Sequence, residues 1–125
     1  MPLNYIKKSQ IDVVVKVYGG NGTSITIPLS DLLVANEIIS GTPKVDLIGV
    51  SFTGHHLTVL TVSRNNQVLL SLPSTGASFL NLSGQDLTSD TSNNTSNIVV
   101  TITGGEGQCW LRLRKVGGYE TIEPI

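Results

Sequence analysis

Apolar residues recur along this chain with a period of two. In IDVVVKVY (11–18), Ile11, Val13, Val15 and Val17 fall on one face, and Asp12, Val14, Lys16 and Tyr18 on the other. Successive side chains of a strand point to opposite faces, so this alternation predicts a half-buried strand. GGNGTS (19–24) is turn chemistry, after which Ile25, Ile27 and Leu29 resume the alternation. Pro28 has no N–H to give to a ladder, which predicts that this strand is an edge or ends there. KVDLIGVSFT (44–53), HLTVLTVSR (56–64) and QVLLSLP (67–73) follow, joined by GH and NN. Two-residue connections of this kind predict tight hairpins.

The apolar phase slips between Val59 and Leu60, which predicts a bulge or burial on both faces. ASFLNLSG (77–84) is a weaker strand pattern, and GQDLTSDTSNNTSN (84–97) has no period and reads as an exposed loop. NIVVTIT (97–103) and QCWLRLRKV (108–116) predict a closing hairpin around TGGEGQ, followed by an extended tail. SDLLVANEIISG (30–41) could be capped by Ser30 or Asp31 and ended by Gly41, but its β-branched Val34, Ile38 and Ile39 limit it to a loop with one helical turn. Turn signals about every ten residues and no full helix predict an all-β fold. The expected form is a single-domain β-sandwich or small barrel of about seven or eight short antiparallel strands, with hairpin and Greek-key connections. Residues 1–10 are expected as an extended N-terminal arm, 11–118 as the domain and 119–125 as a C-terminal tail.

Composition narrows the function. The 125 residues carry 8 Lys and Arg against 9 Asp and Glu, a balance that gives no electrostatic reason for nucleic-acid binding. No apolar run reaches the length of a membrane helix. MPLNYIKKSQ has no hydrophobic segment after its charges, so no signal peptide is expected. One cysteine, Cys109, excludes an internal disulfide, and synthesis in a reducing cytoplasm fits these features. Only 14% of residues are charged, against about 25% in a typical domain. From Leu47 to Gln85 the sole charged side chain is Arg64. Free monomers disperse charge over their surface. The uncharged stretch therefore points to a face that meets protein, or to an ordinary Ser/Thr-rich β surface.

Five features bear on candidate chemistry. TGGEGQ is followed by a strand and by no Gly-Lys-Ser/Thr, so a phosphate loop is not expected there. His55 and His56 are adjacent and point to opposite sides of a strand, a poor arrangement for one metal. Asp86, Asp90 and Asn93 do not follow calcium-loop spacing. Cys109 alternates with leucines and reads as a small buried hydrophobe. The sequons at 21–23, 81–83, 93–95 and 94–96 read as turn chemistry. No catalytic residue, metal or cofactor is expected, and the chain is not expected to be an enzyme. In the last strand Cys109, Leu111 and Leu113 share one face while Trp110, Arg112, Arg114 and Val116 share the other. Tryptophan beside arginine is what protein interfaces enrich at their centres. Stacking on nucleic acid and a plain surface remain open alternatives.

The segment 79–119, FLNLSGQDLTSDTSNNTSNIVVTITGGEGQCWLRLRKVGGY, resembles the C-terminal part of small structural proteins of marine cyanophages, and the composition resembles that of accessory virion proteins of tailed bacteriophages. The resemblance implies a virion structural protein, most of all a capsid decoration (cement) protein that binds and stabilises the major capsid shell. It implies a virion location after assembly in the host cytoplasm, with the major capsid protein and copies of the chain itself as partners. No small-molecule substrate, nucleic acid or membrane is expected as a partner. The docking set is Trp110, Arg112 and Arg114, with Lys7 and Lys8 of the arm and Tyr119 of the tail. The alternatives are a neck or tail component, or a carbohydrate-binding, lectin-like sandwich, for which the few aromatics offer little platform.

Overall fold

The structure, a computed structural model, describes residues 3–9, 11–55, 57–73, 77–81 and 94–121, with 77–81 and 121 described by backbone alone. Nine strands run through them: β1 Leu3–Lys8, β2 Asp12–Gly19, β3 Thr23–Ile27, β4 Glu37–Gly54, β5 Val59–Arg64, β6 Gln67–Pro73, β7 Ala77–Asn81, β8 Ile98–Thr103 and β9 Gly107–Thr121. A 3-10 turn, Leu29–Leu32, lies between β3 and β4, close to the one helical turn expected in 30–41. The rest of that expected loop is corrected, because Glu37–Gly41 is already strand, with Glu37, Ile38 and Ile39 paired to β9.

The strands form two antiparallel sheets. Sheet A has the order β1-β2-β9-β4-β7 and sheet B the order β3-β8-β5-β6. The pairing is nested: β5 with β6, β4 with β7, β3 with β8 and β2 with β9. The innermost turn is Asn65–Asn66, with φ of 51° and 62°. Both residues are left-handed, as a two-residue turn matching the twist of its strands requires, and asparagine tolerates that conformation better than most residues. The chain is thus one long hairpin folded over itself, the jelly-roll topology, in which two sheets enclose a core and few edges remain.

Period-two alternation supplies that core. Val13, Val15 and Val17 of β2, Cys109, Leu111 and Leu113 of β9, and Val45, Leu47, Val50 and Phe52 of β4 meet Leu60 and Val62 of β5 and Ile98, Val100 and Ile102 of β8. Ile27, Leu29 and Leu32 close one end. Ile11, expected on the buried face of β2, precedes the strand and is exposed. The slip expected between Val59 and Leu60 is neither a bulge nor burial on both faces: β5 alternates regularly, and Leu57 lies before it, exposed and at φ 72°. The irregularity of this hairpin is on β6, where Leu69 is the extra residue between the pairs Val62–Leu70 and Ser63–Val68.

Two expected hairpins take a different form. Gly54–His55 leads from β4 in sheet A to β5 in sheet B, and the TGGEGQ segment leads from β8 in sheet B to β9 in sheet A. Alternation reports that one face of a strand is buried. It is silent on whether the next strand pairs beside it or faces it across the core. Residues 1–10, expected as an arm, contain β1, which pairs with β2 from Leu3–Val17 to Lys8–Val13. The expected tail is partly strand, because β9 continues to Thr121 opposite Glu37. Most of the 84–97 loop, with Asp86, Asp90 and Asn93, lies outside the described residues, as do residues 82–83 of the 81–83 sequon.

The inward register is not wholly apolar. Arg64 follows Leu60 and Val62 on the buried face of β5 and is 0% exposed. Its Nη1 donates to the Val45 carbonyl at 2.6 Å, its Nη2 to the carbonyls of Asn94 at 2.9 Å and Ser96 at 2.8 Å, and its Nε to Ser96 at 3.1 Å. These bonds tie segment 94–96 to β4 and satisfy donors whose burial would otherwise be costly. Close by, Lys115 Nζ meets Glu37 Oε1 at 2.6 Å, with both side chains buried, and Tyr119 donates its O–H to the Leu29 carbonyl at 2.6 Å.

Candidate functional site

The end of the sandwich opposite Arg64 is built from three crossing corners, 20–22, 104–106 and one to which 54–55 and 57–58 belong. Gly22 N–H donates to the Ile102 carbonyl at 2.9 Å and Gly104 N–H to Asn21 Oδ1 at 2.8 Å. His55 N–H donates to the Glu106 carbonyl at 3.0 Å, and the buried Thr58 hydroxyl reaches the same oxygen at 3.2 Å. Beneath these corners a row of glycines crosses sheet A: Gly19, Gly107 and Gly54 are register partners. Their missing side chains make room for the corners to close over the core. A Cβ on Gly107 would stand 2.9 Å from Phe52 Cε1, and one on Gly54 would stand 3.1 Å from Thr58 Cβ.

On the outer face of sheet A the neighbouring row is polar: Tyr18, Gln108 and Thr53 face outward in register. The floor they form meets a wall made by His55 and Glu106, whose Nε2 and Oε2 lie 3.8 Å apart. Lys16 completes the lining, and the resulting concavity of about 640 Å³ opens to solvent. Lys16 Nζ lies 5.6 Å from the centre of the Tyr18 ring and 5.7 Å from that of Trp110, so two aromatic faces flank the ammonium. No carboxylate forms an ion pair with it among the described residues. By contrast Lys7 meets Asp12 at 3.2 Å, Arg114 meets Asp46 at 3.7 Å and Lys115 is paired with Glu37.

The shelf therefore offers a cation, a phenol, a carboxamide, a hydroxyl, an imidazole and a carboxylate within one concavity. Small-molecule sites are for the most part apolar hollows with a few convergent polar groups; this shelf has the convergent polar groups, and its apolar lining is confined to the Tyr18 ring and the glycines. Among the described residues no three His, Cys, Asp or Glu side chains come together as a metal site would require. No helix there is long and apolar enough to cross a membrane.

The expected docking residues are dispersed. Trp110, Arg112 and Arg114 do share the outer face of β9, but β9 is the central strand of sheet A, flanked by β2 and β4. Trp110 is half-buried beside Lys16, and Arg114 is drawn to Asp46. Lys7 is held by Asp12, while Lys8 donates to the Asp31 carbonyl at 2.9 Å and lies over the Tyr5 ring at 4.6 Å. Tyr119 faces inward as a tie to Leu29, and burial, with Glu37 beside it, pushes its phenol up to about 12. Burial likewise pushes the Cys109 thiol up to about 12, which leaves it the inert hydrophobe expected. The shelf residues were signalled only by outward parity in two strands and by glycines at strand ends. Their meeting depends on a pairing of β2 with β9 that no local pattern reveals.

No protein-family model matches the chain, and no curated protein matches it. Among solved structures it is similar to an RmlC-like cupin family protein with a double-stranded β-helix fold from Methanocaldococcus jannaschii, at 5% identity over 90% of this chain and 77% of that one, with a TM-score of 0.40. It is also similar to an uncharacterised conserved protein with a double-stranded β-helix domain from Klebsiella pneumoniae, at 12% identity over 97% and 83% of the two chains, with a TM-score of 0.44. A third likeness is to a structure from work on the DMSP lyases RdDddP and RnDddQII, at 13% identity over 92% of this chain and 46% of that one, with a TM-score of 0.35. These similar structures include an enzyme, and none of the three is described as a virion component. The expectation of a virion structural protein, a capsid decoration protein above all, is corrected: the solved structures that the chain resembles include double-stranded β-helix proteins.

Proposed function

We propose that this chain is a small-molecule-binding domain, and that the shelf at the β2, β4 and β9 end takes a small ligand carrying an anionic group. The observation that carries the reading is the convergence of Lys16, Tyr18, Thr53, His55, Glu106 and Gln108 on one open concavity. Within it, Lys16 supplies the positive charge. The rings of Tyr18 and Trp110 flank its ammonium, which can still donate N–H groups to an incoming acceptor. Tyr18, Thr53 and Gln108 can each donate a further hydrogen bond, and Glu106, drawn to His55, can accept one from a ligand hydroxyl or amine. Binding of a small molecule is common to a binding protein and an enzyme, and it is the step this geometry supports.

Titration of the labelled protein with 4-hydroxybenzoate and with 4-hydroxybenzamide, followed by amide NMR shifts, tests the reading. The acid is expected to move amides of residues 16–20, 53–55 and 106–108, and the amide analogue to move them less at equal concentration. A hydrogen bond to a charged group contributes about 1.5–3 kcal/mol, so Lys16→Met should weaken the acid roughly tenfold or more. Shifts from neither probe, or shifts centred elsewhere, would overturn the reading.

A further inference from the structure

The two sheets present unlike outer faces. Sheet A carries Asp12, Lys16, Asp46, Arg112 and Arg114 outward. The four strands of sheet B, TSITI, IVVTIT, VLTVSR and QVLLSLP, contain one charged residue, Arg64, and it is fully buried. Register places Ser24, Thr101, Thr61 and Ser71 in one row across the outer face of sheet B, a ladder of four hydroxyls spanning all four strands. Thr61 and Ser71 already lie within 3.5 Å of each other through their hydroxyls. The next row is Thr26, Val99, Ser63 and Val68, with Val68 60% exposed.

We infer that the outer face of sheet B docks a second copy of this chain about a twofold axis. A twofold apposes a surface to itself, so the surface must be self-complementary. Hydroxyls both donate and accept, and two identical rows of them can satisfy one another. No like charges meet across such a contact, and no ion has to be stripped of water. Depletion of charge at the centre is what distinguishes interfaces from ordinary surface. Complementary charge adds specificity for a foreign partner, and the described residues of this face offer none.

Extent sets the strength. Four strands about 4.8 Å apart and some six residues of about 3.4 Å each give a face of roughly 400 Å² in plan. That falls at the small, transient end of specific interfaces, below about 1,200 Å² in total. The association is therefore weak and reversible, and independent of the shelf, which lies on sheet A.

Sedimentation equilibrium over a wide concentration range should show the mean mass rising from 13.3 kDa towards twice that value. Amide shifts that change with concentration should fall on residues 24, 26, 61, 63, 99 and 101, a readout that needs no variant. Thr61→Lys and Thr101→Lys, each placing like charges across the axis, should abolish the rise, and Ser51→Lys on sheet A should not. A mass that stays at one chain throughout, concentration-dependent shifts on sheet A, or a dimer that survives both lysine variants in folded form would each overturn the inference.

Discussion

Gly104 shows how one residue holds the site together. It sits at φ 85°, and a Cβ there would fall on the carbonyl oxygen of Leu57, itself left-handed at φ 72°. Gly104→Ala should therefore cost about 2–4 kcal/mol, from backbone strain plus a contact with main chain that cannot move aside. Urea unfolding measures it, and a loss below the ordinary scatter of surface substitutions would mean the corners are not packed as described. At the other end Tyr119 gives a pH signature. Its folded phenol titrates near 12, while an unfolded tyrosine titrates near 10. Above pH 10 the unfolded chain thus holds fewer protons than the folded one, and stability must fall as pH rises from 10 through 12. Tyr5, pushed up to about 12 by burial and by Asp31, acts in the same direction. Urea midpoints taken between pH 8 and 12 should show the fall, and Tyr119→Phe should make it shallower. A fall of unchanged steepness in that variant would contradict the placement of Tyr119.

Among the elements, alternation made most strands and their buried faces legible from residues alone: Val13, Val15 and Val17 inward, Trp110 and Arg112 outward. Asn65–Asn66 was legible as a tight turn because its chemistry is local. The same reasoning could not assign Gly54–His55 or the TGGEGQ corner, since pairing partners lie far away in sequence. Nor could it place Arg64, whose partners at Val45, Asn94 and Ser96 are fixed only when segment 94–96 folds back on β4. The site suffered most, since Tyr18, Gln108 and Thr53 come from three strands and become one row only through the nested pairing. That nesting makes the central turn important. Asn66→Val forces a β-branched residue to positive φ and should cost about 1–3 kcal/mol, whereas Asn66→Gly should be neutral or slightly stabilising. Equal stability of the two variants would show that the turn does not have this conformation.

For the whole molecule, the jelly roll is a frame on which unrelated functions are mounted, so function must be argued from sites. Here the two sheets divide the work: sheet A bears the charges and the polar shelf, and sheet B the uncharged hydroxyl face. Gly20 allows the shelf to be closed without disturbing the fold. Gly20 lines the concavity, and a Cβ there would meet nothing nearer than Glu106 Cγ at 3.9 Å. The most direct measurement is the affinity of 4-hydroxybenzoate for the wild-type chain and for Gly20→Leu, read alongside their urea midpoints. The shelf predicts unchanged folding stability with binding reduced at least tenfold. Undiminished binding by a folded Gly20→Leu chain would place the ligand elsewhere and contradict the account.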